Sequence, residues 1–398
     1  MTNSFIIQAG WLIDGTGRRP LQNVLLKVKD GNISSIGTST GAVPHMPDIL
    51  AMPDCTLVPG LIDSHVHLFM SGTGDPSIRQ RQLNSPFEEM KDIILRHLYQ
   101  QLSHGVVAVR DGGDYAGHAL RYKLECMPLK SIPILVKSAG MAWHAPARYG
   151  DLIGRPPSQG LSLGRAIALS ERNYDHVKLV NSGLNSLTVF GKESLPQFSR
   201  QELCEAVETA KGIGLKTMVH ANGERPVREA IEAGCHSIEH GFFMGRDNLK
   251  RMAETGTIWV PTVYTMKAYS QFLPAGGIEK EMAEKNLEHQ LEQISMASSY
   301  GVCIAAGSDC GSLGVHHGSG VKEEIALFVK AGMRIEEAIK CATLNSAKAL
   351  GLEGELGNLS VGMPATLVAF RAEPPNVLEA LERPEKIFVI GEQWRGDH

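Results

Sequence analysis

Several features that would narrow the role of this 398-residue chain are missing. Its seven cysteines are odd in number, scattered and without a Cys-x-x-Cys pair, which excludes a disulfide framework and a thiolate zinc site. No apolar run approaches the roughly 20 residues of a membrane span. Residues 1–10 lack the basic and apolar regions of a secretion signal, so a cytoplasmic location and no membrane partner are expected. With a formal net charge of −4 and charges of both signs mixed along the chain, there is no basic field to hold nucleic acid. Tandem repeats and low-complexity stretches are absent too. The remaining partner is a small-molecule substrate, with homo-oligomerisation left open.

What is present is a chain long enough for a barrel-sized domain of roughly 250 residues beside a smaller one. Residues 1 to about 58 read as short strands broken by turns, with Asp30-Gly31 set between two strand-like runs as a hairpin. From residue 61, short apolar runs alternate with longer helix-compatible segments, as in a parallel sheet with crossover helices. Eight strands are predicted, over residues 61–68, 106–110, 134–138, 176–181, 216–221, 237–240, 258–261 and 303–309. Gly105, Gly214, Gly234, Gly256 and Gly301 stand where the intervening helices should stop. After Gly351 the texture returns to short strands. The expected fold is α/β: a TIM (β/α)8 barrel, residues 59–353, inserted in a small β-sandwich domain formed by both termini, residues 1–58 and 354–398.

Barrel active sites lie at the C-terminal strand ends. There the sequence offers His65 and His67 on the first strand, Lys178 on the fourth, His220 on the fifth, His240 on the sixth and Asp309 on the eighth. Alternation along a strand puts His65 and His67 on one face, where two neutral imidazoles can chelate one ion. Lys178, in His176-Val177-Lys178-Leu179-Val180, sits among apolar neighbours and is either ion-paired or depressed in pKa. As a free amine it can add carbon dioxide to give a carbamate with two anionic oxygens. Asp309 follows the small residues Ala305 and Gly307, which leave room beneath its carboxylate; a helix cap is the plainer alternative. Asp63 lies one layer below His65 and is suited to orienting a ligand or pairing with an interior cation. Arg110, Asp111 and Asp114 read as structural.

Pro59-Gly60-Leu61-Ile62-Asp63-Ser64-His65-Val66-His67, Val177-Lys178, Val219-His220-Ala221, Ile238-Glu239-His240-Gly241 and Gly307-Ser308-Asp309 together resemble the metal-dependent amidohydrolase superfamily. The branch they are most similar to is the imidazolonepropionase- and prolidase-like one, and the resemblance runs over nearly the whole chain. It implies a binuclear site in which His65 and His67 bind one divalent ion, with zinc the expected metal, and His220 and His240 the other. Carboxylated Lys178 would bridge the two, and Asp309 would bind one ion and handle the proton. A metal-bridging hydroxide would attack the substrate carbonyl and cleave a C–N amide bond in a dipeptide, N-acyl amino acid or related amide. His144 matches a family histidine that contacts the substrate carbonyl oxygen, and His317 a position at the site rim.

The sequence departs from the family in two places. The segment after the bridging lysine runs Leu179-Val180-Asn181-Ser182-Gly183 without the usual Gly-Gly pair, so the covering loop is not standard. Deaminases of the superfamily carry a glutamate three residues after the histidine matched by His220; here Glu224 stands at four, a swing of about 100° on a helix. Hydrolysis is thereby favoured over deamination. Arg148 and Arg225 offer forks for a substrate carboxylate, or are solvated surface residues. A cyclic-amide (imidazolone-type) hydrolase or a deaminase is the alternative activity; a lactonase, a phosphoesterase and a non-catalytic scaffold are further alternatives.

Overall fold

The computed structural model describes residues 4–39, 48–130, 132–171 and 173–396. Residues 1–3, 40–47 and 397–398 of the expected terminal unit lie outside the described residues. Both ends of the chain contribute to one seven-stranded sheet. Its seam is the strand Ile49–Pro59, which pairs parallel with Ser4–Leu12 and antiparallel with Leu367–Phe370. The period-two pattern of Leu21–Lys29 buries Val24, Leu26 and Val28 on one face. At the predicted hairpin, Asp30 and Gly31 both have positive φ (49° and 78°), as a two-residue turn matched to strand twist demands. Phe5 stacks on Phe388 with ring centroids 5.8 Å apart, although two strands lie between theirs in the sheet. The expected sandwich is thus one continuous sheet curled over its own apolar core, not two separate sheets.

Between these ends lie two arcs of parallel strands. Leu61–Val66, Val106–Asp111 and Leu135–Ser138 form one arc; His176–Val180, Lys216–Ala221, Ser237–His240 and Ile258–Val260 form consecutive strands of the other. Two short strands that the pattern did not predict, Ala142–Trp143 and Gly154–Arg155, extend the second arc. Helices such as Phe87–Ser103 and Arg200–Gly212 follow the strands, the latter opened by a Ser199/Glu202 capping box. Among the described residues no helix is long and apolar enough to cross a membrane.

The eighth predicted strand, 303–309, is a correction: only isolated bridges at Ile304 and Cys310 are present. The segment divides its backbone bonds between the two arcs. Ala305 N–H donates to Trp259 O (2.8 Å), while Ala306 O accepts from Ser64 N–H (2.9 Å) and Asp309 N–H donates to His65 O (2.8 Å). Ser308 N–H is taken by the Asp63 carboxylate (2.9 Å), and Asp309 has φ 57°, so no regular ladder propagates. At the other gap Asp175 N–H donates to Ser138 O (2.9 Å) and Ser138 N–H to the Asp175 carboxylate (2.8 Å). The parallel strands are therefore not a single closed sheet.

Candidate active site

The structure draws His65, His67 and Asp309 into one cluster whose ligand atoms lie within 4.8 Å of one another. His65 Nε2 and His67 Nε2 stand 3.7 and 3.6 Å from the same oxygen, Asp309 Oδ1. The His240 ring is 5.0 Å from that of His65 and 4.6 Å from that of His220, centroid to centroid. Lys178 is buried beneath them, 1% exposed, and its Nζ has no hydrogen-bond partner.

Register explains how these groups share one mouth. Val180 pairs with His220 and His220 with Glu239, so Lys178, His220 and Glu239 face the interior together. His240, next to Glu239, would by alternation face outward. Its φ of 67° breaks the alternation and turns the ring inward, and Asp309 at φ 57° is turned the same way. A left-handed backbone at a non-glycine residue costs on the order of 1–3 kcal/mol and concentrates at functional sites.

Each histidine is held through one ring nitrogen. His67 Nδ1–H donates to Gly113 O (3.0 Å), His220 Nε2–H to Gly183 O (3.0 Å), and His240 Nδ1 is bonded to Thr262 Oγ1 (2.7 Å). His65 Nδ1–H donates to Glu239 Oε2 at 2.8 Å, which leaves His65 Nε2 buried with no partner. Burial, with the nearby Lys178 charge, lowers His67 to about 4 and His220 to about 3, and holds His65 well below its ordinary value. Neutral rings with one nitrogen oriented and the other available are the form that binds a cation. Burial also lowers the Lys178 ammonium and raises the Asp309 carboxyl. Two orphaned buried nitrogens beside oriented imidazoles, His65 Nε2 and neutral Lys178 Nζ, fit a metal: a buried lone pair without a partner is costly, and a bound cation accepts it.

Residues 56–392 match the amidohydrolase family. The chain belongs to the amidohydrolase family. It is an enzyme of the hydrolase class acting on carbon–nitrogen bonds. The chain is 24% identical over 430 residues to ochratoxinase of Aspergillus niger, covering 98% of this chain and 85% of that one. It is 23% identical over 404 residues to imidazolonepropionase of a Geobacillus strain, covering 91% and 86%. A crystal structure of a Xaa-Pro dipeptidase with methionine bound in its active site superposes with TM-score 0.82 at 28% identity, over 99% of this chain and all of that one.

In this amidohydrolase the other predicted residues have partners of their own. His144 is fully buried; its Nδ1–H donates to Ala145 O (2.9 Å), and its Nε2 is 3.2 Å from Asp151 Oδ1 without hydrogen-bond geometry. Arg148 donates to Leu195 O (3.0 Å) at the surface. Arg225 donates Nε–H to Glu229 (2.9 Å), one turn along its own helix, and is mostly exposed. His317 is buried: it stacks on His97 at 4.0 Å and its Nε2–H donates to Met70 O (2.9 Å), tying down the chain beyond His67. Glu224 opens the helix Glu224–Glu232 and packs against Gly245.

The residue that sequence reasoning passed over is Glu239. Besides His65 it accepts from Arg110 Nη2 (2.8 Å) and Ser237 Oγ (2.5 Å), all fully buried. The available signal was its parity with His220: a glutamate facing a barrel interior needs a cationic or N–H partner. Arg110, Asp111 and Asp114 occupy structural positions, Asp114 accepting from Ala116 N–H and from the first two N–H groups of the helix His118–Glu125. Asp63 holds backbone rather than a ring, accepting from His65 N–H (3.2 Å) and from Ser308.

Proposed function

We propose that this amidohydrolase hydrolyses the C–N bond of an amide the size of a dipeptide or N-acyl amino acid, using two divalent ions, zinc being the expected metal. His65, His67, His220, His240 and Asp309 would hold the ions, with Lys178 bridging them as a carbamate. The observation that carries this reading is Lys178: a fully buried, unpartnered amine among four imidazoles, whose burial favours the neutral form that adds carbon dioxide and releases a proton. Ions bound there would supply Lewis-acid polarisation of a carbonyl and a water acidified toward neutral pH.

The chain's own part is proton handling and order. Asp309, its carboxyl raised by burial, takes the proton of the attacking water and returns it to the departing amine nitrogen. Ser312 Oγ–H, 3.0 Å from Asp309 Oδ2, orients that carboxylate. Glu239 keeps His65 Nε2 directed at the site. The relatives support an amide substrate, since one is named a dipeptidase. Glu224, packed against Gly245, is poorly placed to shuttle protons for a deaminase. We read the two arcs, laced together by 303–310, as the (β/α)8 barrel of residues 59–353, set in a terminal domain of residues 1–58 and 354–398.

The test is metal content together with Lys178→Met. We expect two ions per chain, a carbamate signal on growth with 13C-labelled bicarbonate, and a kcat/KM lowered by roughly a thousandfold in a variant that still folds. One ion per chain with full activity in Lys178→Met would overturn the binuclear reading.

A further inference from the structure

The left-handed backbone of Asp309 (φ 57°) persists only if its neighbours over-determine it. On its N-terminal side the Asp63 carboxylate takes both Ser308 N–H (2.9 Å) and Ser308 Oγ–H (2.6 Å). On its C-terminal side stands Cys310, fully buried, whose Sγ lies 3.0 Å from His317 Nδ1 and 3.2 Å from Gln101 Nε2. Cys310 N–H donates to Ser308 Oγ (3.1 Å), closing the turn around Asp309.

The hydrogens along this row follow from what each atom can give. Met70 O only accepts, so His317 Nε2, 2.9 Å away, carries the ring proton. Burial holds His317 well below its ordinary value, which keeps the ring neutral and leaves Nδ1 an acceptor. Gln101 Nε2 donates to Cys310 Sγ, and the thiol hydrogen turns to His317 Nδ1. The Asp63 carboxylate, 3.7 Å from Sγ, opposes a thiolate.

The row therefore runs one way, from Gln101 through Cys310 and His317 to Met70, and it ends on the turn that follows His67. There Met70 N–H donates to His67 O (3.1 Å), while His67 N–H donates to Cys310 O (2.8 Å). A Cβ on Gly311 would stand 2.7 Å from His67 O, so the two turns interlock backbone to backbone. His97, stacked on His317 at 4.0 Å, donates Nδ1–H to Leu68 O (2.8 Å) in the same turn.

We infer that Cys310 and His317 are a positioning pair: the thiol-to-imidazole hydrogen bond fixes the turn that aims Asp309 and, through Met70, the turn that follows His67. Both side chains are buried and act through these two residues. The kinetic half rests on the reading of Asp309 as proton carrier in amide hydrolysis; the metal half does not.

The test compares Cys310→Ala with Cys310→Ser, whose hydroxyl gives the same hydrogen bond. In zinc-loaded enzyme acting on N-acetyl-leucine, Cys310→Ala should lower kcat by roughly tenfold with KM within about twofold. Zinc retention against a chelator, measured without substrate, should weaken by roughly threefold or more. Cys310→Ser should recover most of both losses. A thiol that only filled space would give the opposite order, because a small apolar residue is the milder change in a dry core. Combining Cys310→Ala with His317→Leu should cost little more than either alone; additive losses would overturn the pairing. If His317→Leu does not fold, the order of alanine and serine still decides. Serine recovering zinc retention while wild type turns over no amide would uphold the pair and remove the reaction; serine no better than alanine in both measurements would overturn the pair.

Discussion

The terminal sheet and the metal-ligand cluster both bury most of their side chains, yet they treat polar groups in opposite ways. In the sheet, Val24, Leu26, Leu57 and Leu367 pack an apolar core, and the buried Thr56 hydroxyl is used, donating to Ala372 O (2.6 Å). Among the described residues, every buried side-chain nitrogen or oxygen without a partner lies between Ser64 and Glu324, and none lies in the terminal strands. His65 Nε2 and Lys178 Nζ are two of these, close enough for the lysine charge to act on the ring. A fold satisfies its polar groups wherever stability alone is at stake. Concentrated exceptions mark where something else is meant to bind.

That contrast predicts a clean division between stability and metal affinity. The largest effect belongs to the sheet: Leu26→Ala should cost about 2–5 kcal/mol in urea unfolding. Its folded fraction should bind metal as wild type does; a matching loss of metal affinity would show the two regions to be one unit. The mouth comes next. Glu239→Gln removes the carboxylate that orients His65 and should weaken metal binding by roughly 10–100-fold in chelator competition, with the circular dichroism spectrum kept.

A smaller effect concerns the layer beneath the mouth. Burial holds His97 at about 4, against about 6.5 in an unfolded chain. Between those values the unfolded state binds more protons, so stability from this group is complete above pH 6.5 and is lost as pH falls toward 4, by at most about 3 kcal/mol. In metal-free protein, His97→Gln should lose less stability between pH 7 and 4.5 than wild type; an equal loss would assign the acid sensitivity to other groups. The smallest effect is Arg225→Ala. Its exposed pair with Glu229 is worth at most about 1 kcal/mol, and kcat/KM should change less than about twofold. A large rise in KM would return Arg225 to the substrate site.

The parts of the site that the sequence shows most plainly are the ones carried by strand ends. Lys216–Ala221 and Ser237–His240 fall where the apolar runs place them, and the terminal strands follow from period-two burial. The stretch 303–309 was misread because its apolar composition, Ala305 and Ala306 included, looks like a strand while its backbone bonds are divided between two arcs. Arg148 and Arg225 looked like carboxylate forks because a sequence does not show that a neighbour, Leu195 O or Glu229, already holds the guanidinium. Glu239 went unnoticed because its partners, His65 and Arg110, are 174 and 129 residues away.

By itself the sequence determined the alternation of strands and helices, the family, and which side chains at strand ends have the chemistry of metal ligands, because periodicity and residue type are local. Only the tertiary structure decided which of those atoms are left without partners. It turned His240 and Asp309 inward against strand alternation, set Glu239 on His65, and placed a largely apolar cavity beside them. The physical reason is that hydrogen-bond satisfaction belongs to a set of contacts made across distant strands, and no window of the chain contains that set.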